Sequence, residues 1–162
     1  MTDINLNSHL NQPDQHTALQ QASQAYIDFF STLNPEHLEQ LSHYFTADAR
    51  FKDPFNDVTG ISAIQHIFQH MFTHTQQSRF VVQHAALDQN TLLLQWDYHF
   101  QTLKGKPWSF SGMSRVTFAT QDAEQGKVIE HIDYWDPVEG IYRKIPLLKH
   151  CMAFLTRRLQ AN

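Results

Sequence analysis

Near residue 79 the spacing of apolar side chains changes from about 3.6 residues to 2, which divides the chain into a helical half and a sheet half. Ahead of that point Leu19, Ala22, Tyr26, Phe29, Phe30 and Leu33 recur at helical spacing, behind a T-x-x-Q capping box formed by Thr17 and Gln20. Asn34 and Pro35 are an N-cap and first-turn pair for a short second helix lined by Leu38, Leu41, Tyr44 and Phe45, which Thr46 to Asp48 should end. A short strand, Ala49 to Asp53, is stopped by Pro54. A turn through Asn56 to Gly60 then leads to a third helix marked by Ile64, Ile67, Phe68 and Met71. Beyond the change of period, strands are expected over Arg79 to Leu87, Thr91 to Gln101, Trp108 to Phe118 and Lys127 to Asp136. In the second of these Leu92, Leu94, Trp96, Tyr98 and Phe100 form the buried set, and in the third Gly112 marks a bend or bulge. Helices followed by a run of hairpin-connected strands predict an α+β domain, a curved antiparallel sheet wrapped around the N-terminal helices.

The 162 residues suit one domain, and 41% hydrophobic residues can build its core. A formal charge of −4 and a pI near 6.2 leave no electrostatic footprint for nucleic acid. The single cysteine, Cys151, cannot form an internal disulfide, and no leader pattern opens the chain, so a cytoplasmic location is expected. Residues 1–15 are polar and without periodicity, and read as a mobile arm; residues 16–138 form the domain; residues 139–162 form an amphipathic helix with Leu148, Cys151, Met152, Leu155 and Leu159 on one side and a basic rim. That helix either docks on its own domain or a second subunit, or attaches weakly to an anionic membrane surface.

In such a fold the informative residues are polar ones on otherwise apolar, inward-facing stripes. Asp53, flanked by Phe51 and Phe55, is either a general base with apolar neighbours or the cap of the turn before Asn56. On the last strand His131, Asp133 and Trp135 share one face by alternation; if that face is concave, an imidazole, a carboxylate and an indole converge on a small-molecule site. Asp136 has the opposite parity and precedes Pro137, which suits strand termination. Ser114 is a hydroxyl within an aromatic stripe, and Trp96, Tyr98 and Trp108 carry N–H and O–H groups that need partners. His66, His70 and His74 lie four residues apart on α-helical spacing, on a face read as solvent-facing and opposite Ile64, Ile67, Phe68 and Met71, with no acidic ligand nearby; no metal or cofactor site is expected from them.

The stretch Tyr44-Phe45-Thr46-Ala47-Asp48-Ala49-Arg50-Phe51-Lys52-Asp53-Pro54, then Gly60-Ile61-Ser62-Ala63-Ile64, and Gly126-Lys127-Val128-Ile129-Glu130-His131 with Asp133-Tyr134-Trp135-Asp136, resembles the SnoaL-like branch of the nuclear transport factor 2-like superfamily. The resemblance implies a cystatin-like cone with a pocket inside, a homodimer, and a face carrying His131, Asp133 and Trp135 that points into the pocket. Compared with ketosteroid isomerases, Asp53 before Pro54 matches the general base. The oxyanion-hole tyrosine falls at Phe29, with Tyr26 one turn earlier as the substitute, and the protonated aspartate falls at Ser114. Asp133 matches the acid/base aspartate of SnoaL-like cyclases and an aspartate of the limonene epoxide hydrolase group, whose other partners fall at Trp96 and Tyr98. The resulting expectation is cofactor-independent proton transfer on a small, mostly apolar molecule, with Asp53 and Asp133 sharing the acid and base roles. Tyr26, Phe29, Phe51, Trp96, Tyr98, Trp108, Ser114, His131 and Trp135 would hold the substrate. The competing expectation is a non-catalytic ligand-binding or dimeric interaction module.

Overall fold

The computed structural model describes residues 12–140; the expected C-terminal helix over 139–162, with Cys151 and the basic rim, lies almost wholly outside the described residues, as does most of the N-terminal arm. Helix α1 spans Gln12–Ser31, a 3₁₀ turn at Pro35–Gln40 runs into the short α2 (Leu41–Tyr44), and β1 (Phe45–Lys52), β2 (Asp57–Thr59) and α3 (Ile61–His74) complete the first half. The second half holds β3 (Thr75–Asp88), β4 (Thr91–Thr102), β5 (Pro107–Phe118), a 3₁₀ turn at Asp122–Glu124, β6 (Val128–Tyr134) and a single helical turn, α4 (Pro137–Gly140). Helix α1 thus starts ahead of the Thr17 box, which sits inside the helix rather than at its mouth. Asn34 does cap the next turn: its Oδ1 accepts the Glu36 N–H at 2.9 Å.

The strands form one six-stranded sheet in the order β2-β1-β6-β5-β4-β3. Strands β3 to β6 make an antiparallel meander, as the short connections require. The seam between β1 and β6 is parallel, a correction to the all-antiparallel expectation, and it brings Phe51 opposite His131. β1 begins at Phe45, so Thr46 to Asp48 belong to the strand instead of ending the helix; Phe45 is buried there and pairs with Val128. β3 starts earlier than the apolar pattern suggested, and its register shifts around Gln77, whose φ is +51°, a bulge that lets the chain pass from α3 directly into the sheet.

Gly112 pairs in regular register with Trp96, so it is neither bend nor bulge. Its reason is steric: a Cβ there would lie 2.4 Å from Cη2 of Trp96, whose indole rests on the bare backbone. Leu19, Tyr26, Phe29 and Phe30 of α1 and Leu33 just beyond it are all buried, and with Leu38, Leu41, Phe45, Ile64, Leu92, Leu94, Trp96, Val116 and Phe118 they make one core between the helices and the inner face of the sheet. The outer face exposes Leu93, Met113 and Tyr134. The result is the α+β cone that the family resemblance implies, with α3 and the 53–56 turn closing over one end of the concave face.

Candidate active site

That end holds a cavity of about 440 Å³. Its sheet wall is made by alternating residues of four strands: Phe51 of β1, Phe80 of β3, Trp96, Tyr98 and Phe100 of β4, and Phe110 of β5. Asp133 and Trp135 complete that wall, Ile67, Phe68 and Met71 of α3 supply the facing one, and Thr75 closes the junction. Exposed Phe55, His66 and His70 mark the rim. Many of the rings touch in series: Trp135 stacks on Phe110 at 4.6 Å, Tyr98 on Phe80 at 4.5 Å and on Phe100 at 5.1 Å, and Phe55 meets the edge of Trp135 at 5.3 Å. Such walls favour flat apolar ligands, which gain both burial and ring stacking.

Behind the one carboxylate on the β6 side runs a buried chain of hydrogen bonds. The Ser114 hydroxyl donates to Asp133 Oδ1 at 2.5 Å and accepts the Trp96 indole N–H at 2.8 Å. His131, wholly buried, donates from Nε2 to the same Oδ1 at 2.7 Å. With Asp133 ionised, Nε2 must carry the hydrogen, and in the neutral imidazole Nδ1 is then the acceptor that takes the Tyr26 O–H at 2.6 Å. Burial and the nearby Asp133 charge push the Tyr26 phenol well above its ordinary pKa, so it stays a donor. Every N–H and O–H in the chain therefore has an acceptor, and the imidazole is locked between Tyr26 and Asp133 and stacked on Phe51 at 5.1 Å. Both donors converge on Oδ1; Oδ2 takes no hydrogen bond from the described residues, and Asp133 lines the cavity.

Asp53 differs. Its Oδ1 accepts the backbone N–H groups of Phe55 and Asn56, each at 2.7 Å, and both oxygens accept from Asn56 Nδ2 at 3.0 and 2.9 Å. It borders the cavity, yet its lone pairs hold the turn together, and no hydrogen bond links it to Asp133. Of the other predicted residues, Phe51, Trp96, Tyr98 and Trp135 form the wall, while Tyr26, Ser114 and His131 stand one layer behind it. Phe29 is in the core, stacked on Tyr44 at 4.1 Å, and Trp108 lies beside Phe100 outside the wall.

Sequence reasoning missed Thr75; His66 and His70 are exposed, as their solvent-facing reading expected, and they also border the mouth of the cavity. At 100° per residue both positions lie more than about 100° from the centre of the Ile64, Ile67, Phe68 and Met71 stripe, so the helical wheel gave no signal that they reach the rim. No group of three metal-ligating side chains occurs among the described residues.

A family model of the SnoaL-like domain matches residues 26–131. Comparison with proteins of curated function finds no match. Among solved structures, the chain is similar to a protein from Jannaschia sp. CCS1 assigned to the SnoaL-like polyketide cyclases, with TM-score 0.61 and 16% identity over 76% of this chain and 88% of that one. It is also similar to an LEH-like epoxide hydrolase of M. tuberculosis, with TM-score 0.59 and 15% identity over 90% and 96% of the two chains. A protein of ketosteroid isomerase-like fold from Catenulispora acidiphila gives TM-score 0.56 and 17% identity over 76% and 90%. At such identities these likenesses concern the fold; the domain match, which covers residues 26–131 and stops short of Asp133 and Trp135, is what shows that the chain belongs to the SnoaL-like domain family.

Proposed function

We propose that this protein is a cofactor-independent enzyme that moves a proton on a small, flat, mostly apolar molecule, with Asp133 as the acid and base. The observation that carries this reading is the division of labour within one carboxylate. Oδ1 is held by Ser114 and His131, so the group cannot rotate away, and Oδ2 remains for the substrate. Oδ2 takes a proton from a carbon next to a carbonyl, the electron pair moves onto the carbonyl oxygen, and the resulting carboxylic acid returns the proton to the same or a conjugated carbon. Asp53, committed to its turn, helps shape the rim. That SnoaL-like folds include assigned polyketide cyclases and an epoxide hydrolase agrees with small-molecule chemistry in this cavity.

The test is α-carbon deuterium exchange of 2-tetralone in D₂O, followed by proton NMR. The protein should accelerate exchange, and Asp133→Asn should remove about 10²–10⁴-fold of the acceleration, the usual contribution of a positioned acid or base. Exchange at the buffer rate with native protein, or undiminished in the variant, overturns the proposal. A second reading, a non-catalytic ligand-holding homodimer, draws support from Leu93, Met113 and Tyr134 exposed on the outer sheet face. It requires a dimer by sedimentation velocity and 2-tetralone binding without exchange.

A further inference from the structure

A proton leaving carbon at Asp133 drives an electron pair onto the adjacent carbonyl oxygen, and an oxyanion in an apolar cavity needs a hydrogen-bond donor. Most donors of the cavity wall are already engaged. The Trp96 N–H goes to Ser114 at 2.8 Å, and the Asn56 amide nitrogen is turned to both oxygens of Asp53. The Thr75 hydroxyl reaches the Met71 carbonyl at 2.8 Å, and the Tyr98 hydroxyl is held by Ser78 and Thr75. His66 and His70 carry ring N–H groups, but they stand exposed at the rim.

Trp135 is different. Its ring lines the cavity, stacked on Phe110 at 4.6 Å and met at its edge by Phe55 at 5.3 Å, contacts that restrict how the indole can turn. Its Nε1–H donates to no described residue. Nor is that nitrogen sealed off: among the described residues, Arg115 Nε is the one wholly buried side-chain nitrogen or oxygen without a partner. The nitrogen of half-buried Trp135 therefore opens on space that a ligand atom can enter. Asp133 precedes Trp135 by two residues and both border the cavity, so their backbones lie roughly 7 Å apart at about 3.3 Å per residue. A carbonyl oxygen is two bonds from its α-carbon, and one ligand can touch both side chains at once.

We propose that the Trp135 indole N–H is a catalytic donor that holds the carbonyl oxygen of the substrate while Asp133 Oδ2 takes the proton from the adjacent carbon. The C–H pair becomes the new C=C bond, the carbonyl π pair becomes a lone pair on the enolate oxygen, and the indole keeps its hydrogen throughout. Return of the proton from Asp133 to the same or a conjugated carbon restores the carbonyl, so no other reactant enters. The inference rests on the proton-transfer reading, and it narrows the substrate to a ketone or related carbonyl compound whose C=O lies on the edge of the flat ligand, beside a carbon that still bears hydrogen.

Binding is read first, without chemistry, in native protein labelled with ¹⁵N at its three indole nitrogens. The assigned Trp135 N–H resonance should move farther downfield with 2-tetralone than with 2-methylenetetralin, the alkene isostere that has no acceptor. Exchange of the α-hydrogens of 2-tetralone is then compared in Trp135→Phe, which keeps an aromatic ring against Phe110 and deletes the donor. Its kcat should fall about 10²-fold, the low end of the loss of one oxyanion donor, while affinity for the alkene, titrated by the remaining indole resonances, stays level. A packing role would instead move KM and the alkene's affinity together. Equal shifts from the two ligands, no binding of either, or undiminished exchange in Trp135→Phe overturns the inference. Exchange by native protein without the ketone-specific shift overturns this inference alone and leaves proton transfer by Asp133 standing. The shift without exchange overturns the proton-transfer reading and the catalytic role of Trp135 with it.

Discussion

Asp53 and Asp133 border the same cavity and differ in where their lone pairs go. Asp53 sits in a four-residue turn after β1, and local N–H groups from Phe55 and Asn56 occupy it. Asp133 sits in a strand at the centre of the sheet, and its two donors come from across the strand pair and from two residues before it on its own strand. A turn must satisfy its own backbone, so its carboxylate is consumed by structure; a strand's backbone is satisfied by its neighbours, which leaves a side chain free for chemistry. Sequence context favoured neither residue, since both stand among aromatics.

The sharpest way to break this comparison is to neutralise each carboxylate in turn. Asp133→Asn should cost the 2-tetralone exchange its 10²–10⁴-fold acceleration at little cost in stability, whereas Asp53→Asn should keep exchange within about threefold and lower unfolding stability by about 1 kcal/mol through the weakened turn. Equal losses from both would restore the shared-proton pair. Next in size is Gly112→Ala. The added methyl must displace the Trp96 indole, so the Ser114 bond that anchors Asp133 is disturbed; stability should fall by roughly 1–3 kcal/mol in urea titrations, with a shift in tryptophan emission.

A third test concerns the chain behind Asp133. Tyr26 has a folded pKa raised above its unfolded value, so below the ordinary tyrosine range both states hold the proton and stability is at its full value. Above that range the unfolded chain loses the proton first, and stability falls as pH rises toward the folded pKa. Tyr26→Phe should flatten this alkaline decline by up to about 1.4 kcal/mol per pH unit, measured by urea unfolding at a series of alkaline pH values, while Asp53→Asn leaves its slope alone. The smallest effect belongs to the outer face. Arg50 grips Asp57 with two N–H groups at 2.8 Å and holds its carboxyl below the usual range, but both are exposed to water. Asp57→Asn should change thermal stability barely measurably, and still less in salt.

What could be read from the chain follows the range of the interactions. Alternation along β4 and β5 showed which rings face inward, because a strand's two faces are set by its own covalent geometry. Parity likewise grouped His131, Asp133 and Trp135, and the family resemblance supplied the direction. The Tyr26 contact with His131 spans 105 residues, and nothing local to either residue announces it. Thr75 was missed because its hydroxyl matters only where β3 leaves α3 beside β4. Gly112 was noticed for the right sparsity and assigned the wrong cause, since a close approach and a bulge both ask for the same missing side chain.

The parallel seam between β1 and β6 carries a consequence for how the site comes into being. The β3 to β6 meander closes through short loops, but Arg50 meets Glu130 across a separation of 80 residues. Contacts of such long sequence separation are the slow ones, because the entropy of closing a large loop is spent before the contact repays it. Phe51 and His131 lie on that seam, so the wall behind Asp133 is complete only once this long-range pairing is made. Under the proposed function, ligand binding should therefore report that this seam has formed, and a chain holding only its hairpins should not bind the ligand.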